Sequence, residues 1–171
     1  MIKTAGAILI CFAGIGMGRS VCSQLRGQYA TVRAFRDALF MMQQRISFYK
    51  TPLPQMLHEI AEGTSGRCAA FFSQAGKLLE ENFERTAEAV LKQCFRDASY
   101  LGMPQYAVDS FERLLSSLGW MDGANQNEAI RLAVSEFTAH EARIREELER
   151  RGRCYLMLGV CCGIAAAIIV I

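Results

Sequence analysis

The sequence predicts an all-α protein: six helices on the cytoplasmic side of a membrane, flanked by N- and C-terminal transmembrane helices. Three observations predict it. Two stretches of the 171 residues, Thr4–Gly18 and Cys154–Ile171, carry no charged side chain. Between them, apolar residues recur at steps of three and four, the spacing of one helix face. The chain has only three prolines, and Asp122-Gly123 is its single hairpin-type dipeptide, too little turn chemistry for an all-β fold.

The C-terminal run, CYLMLGVCCGIAAAIIVI, has 18 residues. As a helix it spans about 27 Å, against a hydrocarbon core of about 30 Å. A buried core helix is the competing reading, but such a helix rarely lacks a polar face altogether. The N-terminal run is shorter, about 22 Å for 15 residues. It spans only if Arg19 snorkels and the helix continues through Ser20-Val21-Cys22. A cleaved signal peptide, with Gly16-Met17-Gly18 as the small-residue site, competes with it.

Flanking charge favours the uncleaved hairpin. Arg19, Arg26, Arg33 and Arg36 follow the first run with no acid before Asp37, and Arg143, Arg145, Arg150, Arg151 and Arg153 precede the last. The far sides offer only Lys3 and the amino terminus. Positive charge stays inside, so the middle of the chain is expected in the cytoplasm. The expected domains are 1–23, a membrane helix continuing into the first cytoplasmic helix; 24–152, the helical body; and 153–171, the second membrane helix.

The middle reads helix by helix. Leu25, Tyr29, Val32, Phe35, Leu39, Met42, Ile46 and Tyr49 form one face of a helix running to about Lys50. Thr51 caps the next and Pro52 takes its first position, where a missing N–H costs nothing. Leu53, Met56, Leu57 and Ile60 supply its apolar face, and Gly63–Gly66 is a loop. Cys68, Phe71, Phe72, Ala75, Leu78 and Leu79 mark a third helix. Thr86 caps a fourth, with Val90, Leu91, Cys94, Phe95 and Ala98 inward. After Gly102-Met103-Pro104, a fifth carries Val108, Phe111, Leu114, Leu115 and Leu118 and ends at Gly119. The sixth starts near Asp122, with the stripe Gln126, Ile130, Ala133, Phe137, His140, Ile144 and Leu148. Four Glu→Arg pairs at i,i+4 decorate it: Glu141–Arg145, Glu146–Arg150, Glu147–Arg151 and Glu149–Arg153.

No chemistry-bearing motif stands out. The near-neutral middle, with interleaved signs, argues against nucleic-acid binding. Seven cysteines without a CxxC motif or zinc spacing read as reduced, mostly buried thiols. Glu136 and His140 share a helix face and read as a packed pair rather than metal ligands. The chain has no phosphate loop and no nucleophile elbow. No cofactor, metal or catalytic residue is expected, and the residues alone suggest a scaffold more than an enzyme.

Two local motifs carry a family resemblance. The first runs from Leu39 through Ile46 and Tyr49 to Thr51-Pro52-Leu53-Pro54. The second is Leu118-Gly119-Trp120-Met121-Asp122 followed by Gln126, Ile130 and Leu132. With these ends and spacing, the whole chain resembles the stage III sporulation protein AB family of endospore-forming bacteria. It departs from that family at Leu114-Leu115, where members often carry Phe-Gly. The family is similar to the inner-membrane platform proteins of type II secretion and type IV pilus systems, whose cytoplasmic domains are antiparallel six-helix bundles.

The resemblance implies a place in the mother-cell membrane around the forespore, within the channel complex joining the two cells. It also implies a cytoplasmic secretion-type ATPase and channel-ring proteins as partners; homo-oligomerisation stays open. Candidate interface residues are Thr51, Pro52, Leu53, Gly119, Trp120, Met121, Asp122 and Gln126. Trp120 and Met121 suit an interface, while Trp120 folded back as a cap of the bundle is the competing reading. Other functions weighed are a lipid-modifying enzyme at the membrane surface, and an extracytoplasmic, C-terminally anchored adaptor or sensor if the N-terminal run is cleaved.

Overall fold

The structure, a computed structural model, describes residues 2–48, 52–82, 85–98, 101–118 and 123–170; within the helices, the side chains of 2–19, 21, 47–48, 118, 123–125, 152–153 and 155–170 are outside the description. The described residues form six helices and no strand: α1 Ile2–Phe48, α2 Leu53–Gly63, α3 Gly66–Glu81, α4 Ala87–Asp97, α5 Gln105–Leu118 and α6 Gly123–Val170. Two compact units result. One combines Met1–Gly27 with Arg143–Ile171; the other is the bundle, Gln28–Ala142.

The helix ends follow from local chemistry. Pro52 is extended (φ −56°, ψ 139°) and caps α2 from one position later than Thr51, the expected cap; Pro54 then occupies the first turn. The Pro52 carbonyl accepts the Met56 N–H at 3.0 Å. Thr86 caps α4 as expected, its hydroxyl accepting the Ala89 N–H at 3.4 Å. The Pro104 carbonyl opens α5, accepting from Ala107 at 2.9 Å and Val108 at 3.2 Å. Asp122, the expected cap of α6, and Gly119, the expected stop of α5, lie outside the described residues.

Phenylalanine dominates the bundle core. Phe35 of α1 is wholly buried, with ring centroids 5.6 Å from both Phe71 and Phe72 of α3, 5.1 Å from Phe111 of α5 and 6.3 Å from Phe137 of α6. Phe95 brings α4 into the same cluster, 4.8 Å from Phe111. Each pair adds about 0.5–1.5 kcal/mol to the burial of its rings. From α2, Met56, Leu57 and Ile60 are buried on one face. This helix lies close on α3 at Gly76, where an added Cβ would stand 3.0 Å from the His58 ring. The His58 Nε2 in turn lies 3.2 Å from Glu80 Oε1.

Polar ties fix the helices further. The Leu101 carbonyl, in the turn between α4 and α5, accepts from Thr31 Oγ1 of α1 at 3.3 Å and from Arg67 Nη1 of α3 at 3.4 Å. Glu141 of α6 accepts from Tyr29 of α1 at 2.9 Å and pairs with Arg36. The expected local partner of Glu141, Arg145, instead lies 3.4 Å from Glu149. Of the expected i,i+4 pairs, Glu147–Arg151 is present at 3.6 Å, and Glu147 also lies 3.9 Å from Arg143.

Among the described residues, no helix is long and apolar enough to cross a membrane. Apart from the exposed Cys154, the side chains of the two uncharged runs, Thr4–Gly18 and Cys154–Ile171, lie outside the description.

Candidate functional site

The described chemistry concentrates where α5 meets α6. Ser110 falls on the buried face of α5, between Ala107 and Leu114, and is itself buried. Its Oγ lies 3.0 Å from the Tyr106 carbonyl, 2.9 Å from His140 Nε2 and 3.1 Å from Arg113 Nη2. Arg113 reaches across to Glu136 Oε2 at 2.9 Å. The Tyr106 ring covers His140, with centroids 4.7 Å apart. The hydrogen bond with Ser110 and then the Arg113 guanidinium hold the Glu136 carboxyl below its ordinary value, against an opposing effect of burial.

A serine 2.9 Å from a histidine invites comparison with a nucleophile and its base. Here the geometry serves packing. The hydroxyl has the Tyr106 carbonyl and the Glu136 carboxylate as acceptors, its oxygen accepts from Arg113, and His140 Nε2 completes the set of partners. With 3% of Ser110 exposed, a substrate carbon has no line of approach to Oγ. The group is a saturated polar network that sets the register of α5 on α6.

Beside it runs an open groove of about 400 Å³, lined by Arg113, Leu114 and Ser117 of α5 and by Glu128, Leu132 and Glu136 of α6, among others. Leu132 is 59% exposed, one of two large apolar side chains so placed among the described residues; the other is Phe40 of α1.

The two described cysteines of the bundle are chemically quiet. Burial pushes the Cys68 thiol up to about 12 and the Cys94 thiol up to about 11. Among the described residues, no group of three or more His, Cys, Asp or Glu side chains is placed to hold a metal ion.

The sequence-predicted interface residues are placed unevenly. Thr51, Gly119, Trp120, Met121 and Asp122 lie outside the described residues. Pro52 is exposed at the start of α2. Leu53 is half-buried and lines a cavity of about 10 Å³ with Met42, Leu57, Phe71 and Leu115. Gln126 is half-buried on α6, two residues before the first groove residue of that helix. Ser110 and Arg113 were invisible to sequence reasoning as partners of Glu136 and His140. The available signal was a serine on the apolar stripe of α5, matched by a histidine on the stripe of α6.

Comparison with known proteins places this architecture. The family model of stage III sporulation protein AB matches residues 3–171, nearly the whole chain. The chain belongs to the stage III sporulation protein AB family. Stage III sporulation protein AB of Bacillus subtilis (strain 168) is 21% identical over 164 residues, covering 96% of each chain. A solved structure of stage III sporulation protein AB (SpoIIIAB) superposes with a TM-score of 0.67 at 20% identity, covering 72% of this chain and 97% of its own. Family membership supports a role in sporulation, and the likeness to the solved structure confirms the helical fold.

Proposed function

We propose that this protein is a non-enzymatic platform of the sporulation channel, anchored by both ends in the mother-cell membrane around the forespore. Its helical bundle faces the cytoplasm and docks a secretion-type ATPase to channel-ring proteins in the membrane.

One observation carries the reading. Met1–Gly27 and Arg143–Ile171 form a compact unit of their own, and that unit contains both charge-free runs of the sequence. Two uncharged helical ends, gathered in one unit and followed inward by arginines, have the pattern of a membrane hairpin with an internal body. The saturated state of the Ser110 network supports a structural rather than a catalytic body. The groove between α5 and α6, with its exposed Leu132, is close in sequence to Gly119–Asp122 and Gln126, which the reading takes as the docking face.

The test is a pull-down from sporulating cells with the segment Gln24–Arg150 as bait. Recovery of a secretion-type ATPase, reduced when Leu132 is changed to Glu, is the expected result. A bait that is folded by circular dichroism yet recovers no such ATPase overturns the docking role.

A further inference from the structure

The charge of the chain is divided between its two units. Met1–Gly27 and Arg143–Ile171 together hold eight Lys or Arg and three Glu, a net charge of +5; Gln28–Ala142 holds eleven Lys or Arg and fourteen Asp or Glu, a net charge of −3. The sequence total of +2 conceals this division.

Within the basic unit the arginines differ in their state. Arg143 and Arg151 share Glu147, at 3.9 and 3.6 Å, and Arg145 lies 3.4 Å from Glu149. Arg26 of α1 and Arg150 of α6 are both exposed, and neither has an acidic partner among the described residues. Glu146, one turn before Arg150, is exposed and makes no ion pair with it among the described residues. Free guanidinium groups on rigid helices are suited to phosphate oxygens, which they bind through two parallel N–H donors.

Their position selects the phosphate. Arg19 and Arg153 bound the uncharged runs. Along the helices, Arg26 follows Arg19 by two turns, about 10 Å, and Arg150 precedes Arg153 by one, about 5 Å. A headgroup layer is about 5–7 Å thick on each side of the hydrocarbon, and the long arginine stem extends the reach of both groups. We propose that Arg26 and Arg150 each bind the headgroup of an anionic phospholipid of the phosphatidylglycerol type. These contacts hold the basic unit at a negatively charged bilayer surface, while the −3 body gains nothing from them. The inference rests on the membrane reading above and adds a lipid preference to it.

The experiment uses the full chain, reconstituted into vesicles of phosphatidylcholine alone or of phosphatidylcholine with a minority of phosphatidylglycerol. Flotation reports insertion, and mass spectrometry of the lipid retained on the extracted protein reports preference. The expected result is insertion into both vesicles, with phosphatidylglycerol enriched over the bulk. The enrichment falls about five-fold for each of Arg26→Gln and Arg150→Gln, and Arg113→Gln in the bundle leaves it unchanged. Retained lipid that matches the bulk, or enrichment untouched by the double variant, overturns the proposal while the membrane reading stands. A chain that floats with neither vesicle overturns the membrane reading itself. Enrichment abolished by inorganic phosphate at constant ionic strength assigns the arginines to a free anion and overturns the lipid assignment.

Discussion

Replacing Phe35 with Ala tests the packing of the bundle at its centre. The side chain is wholly buried, and its ring contacts phenylalanines from α3, α5 and α6. Truncation removes the transfer energy of a buried ring and leaves a cavity between helices that cannot fully close, a loss of about 3–5 kcal/mol. For a body of this size that corresponds to a fall of about 10–20 °C in melting temperature. Phe40, five residues on in the same helix, is 51% exposed. Its replacement by Ala changes helix propensity identically but costs within about 0.5 kcal/mol. Urea unfolding of the segment Gln24–Arg150, followed by circular dichroism, compares the two. Phe35→Leu keeps most of the volume, costs about 1–1.5 kcal/mol, and keeps the comparison readable if the alanine variant does not fold. Equal losses for Phe35→Ala and Phe40→Ala would refute the aromatic cluster as the joint between α1 and the other helices.

Other outcomes follow from the same contacts. Glu141→Gln weakens the tie between α1 and α6 by about 1–3 kcal/mol; in a double-mutant cycle with Tyr29→Phe the losses are less than additive, and additive losses would show that the two groups act independently. Cys68 and Cys94, with thiols raised to about 12 and 11, resist a maleimide at neutral pH and react only on unfolding; labelling at the native opening rate of a surface loop would contradict their burial. Gly102 has φ +61°, so Gly102→Ala costs about 1 kcal/mol or more through the left-handed backbone, and a neutral melt would deny that conformation. Glu136 titrates lower in the folded than in the unfolded chain, so its contribution is present above the ordinary value of 4.5 and is lost as pH falls below it. Glu136→Gln therefore flattens the acid limb of a stability–pH curve, and an unchanged limb would deny the effect.

The fold was legible because its helices are amphipathic and local. Steps of three and four place Val32, Phe35, Leu39 and Met42 on one face, and all four are buried. Thr86 was readable as a cap because a hydroxyl before a helical stretch satisfies a free N–H of the first turn. The boundary at Pro52 moved by one position because two prolines in three residues each suit a helix start. Partners across helices were not legible. Glu141 has Arg145 at i,i+4, and sequence spacing alone favours that pair, yet the docking of α1 on α6 offers Arg36 and Tyr29 in a less exposed setting. Glu136 and His140 were seen to share a face, but their contacts with Arg113 and Ser110 depend on how α5 seats on α6. Periodicity within one helix contains no information about that seating. The charge division between the two units was equally hidden, because it appears only once Met1–Gly27 and Arg143–Ile171 are known to form one unit.

Topology tests the account most directly. Ser65 is exposed in the turn between α2 and α3. Intact non-sporulating cells expressing Ser65→Cys in the cell-surface membrane are treated with a membrane-impermeant maleimide, the parent chain serving as control. The account predicts no labelling beyond the parent until the cells are opened, followed by full labelling. Labelling of the introduced thiol in intact cells would place the bundle outside the cytoplasm and contradict the platform.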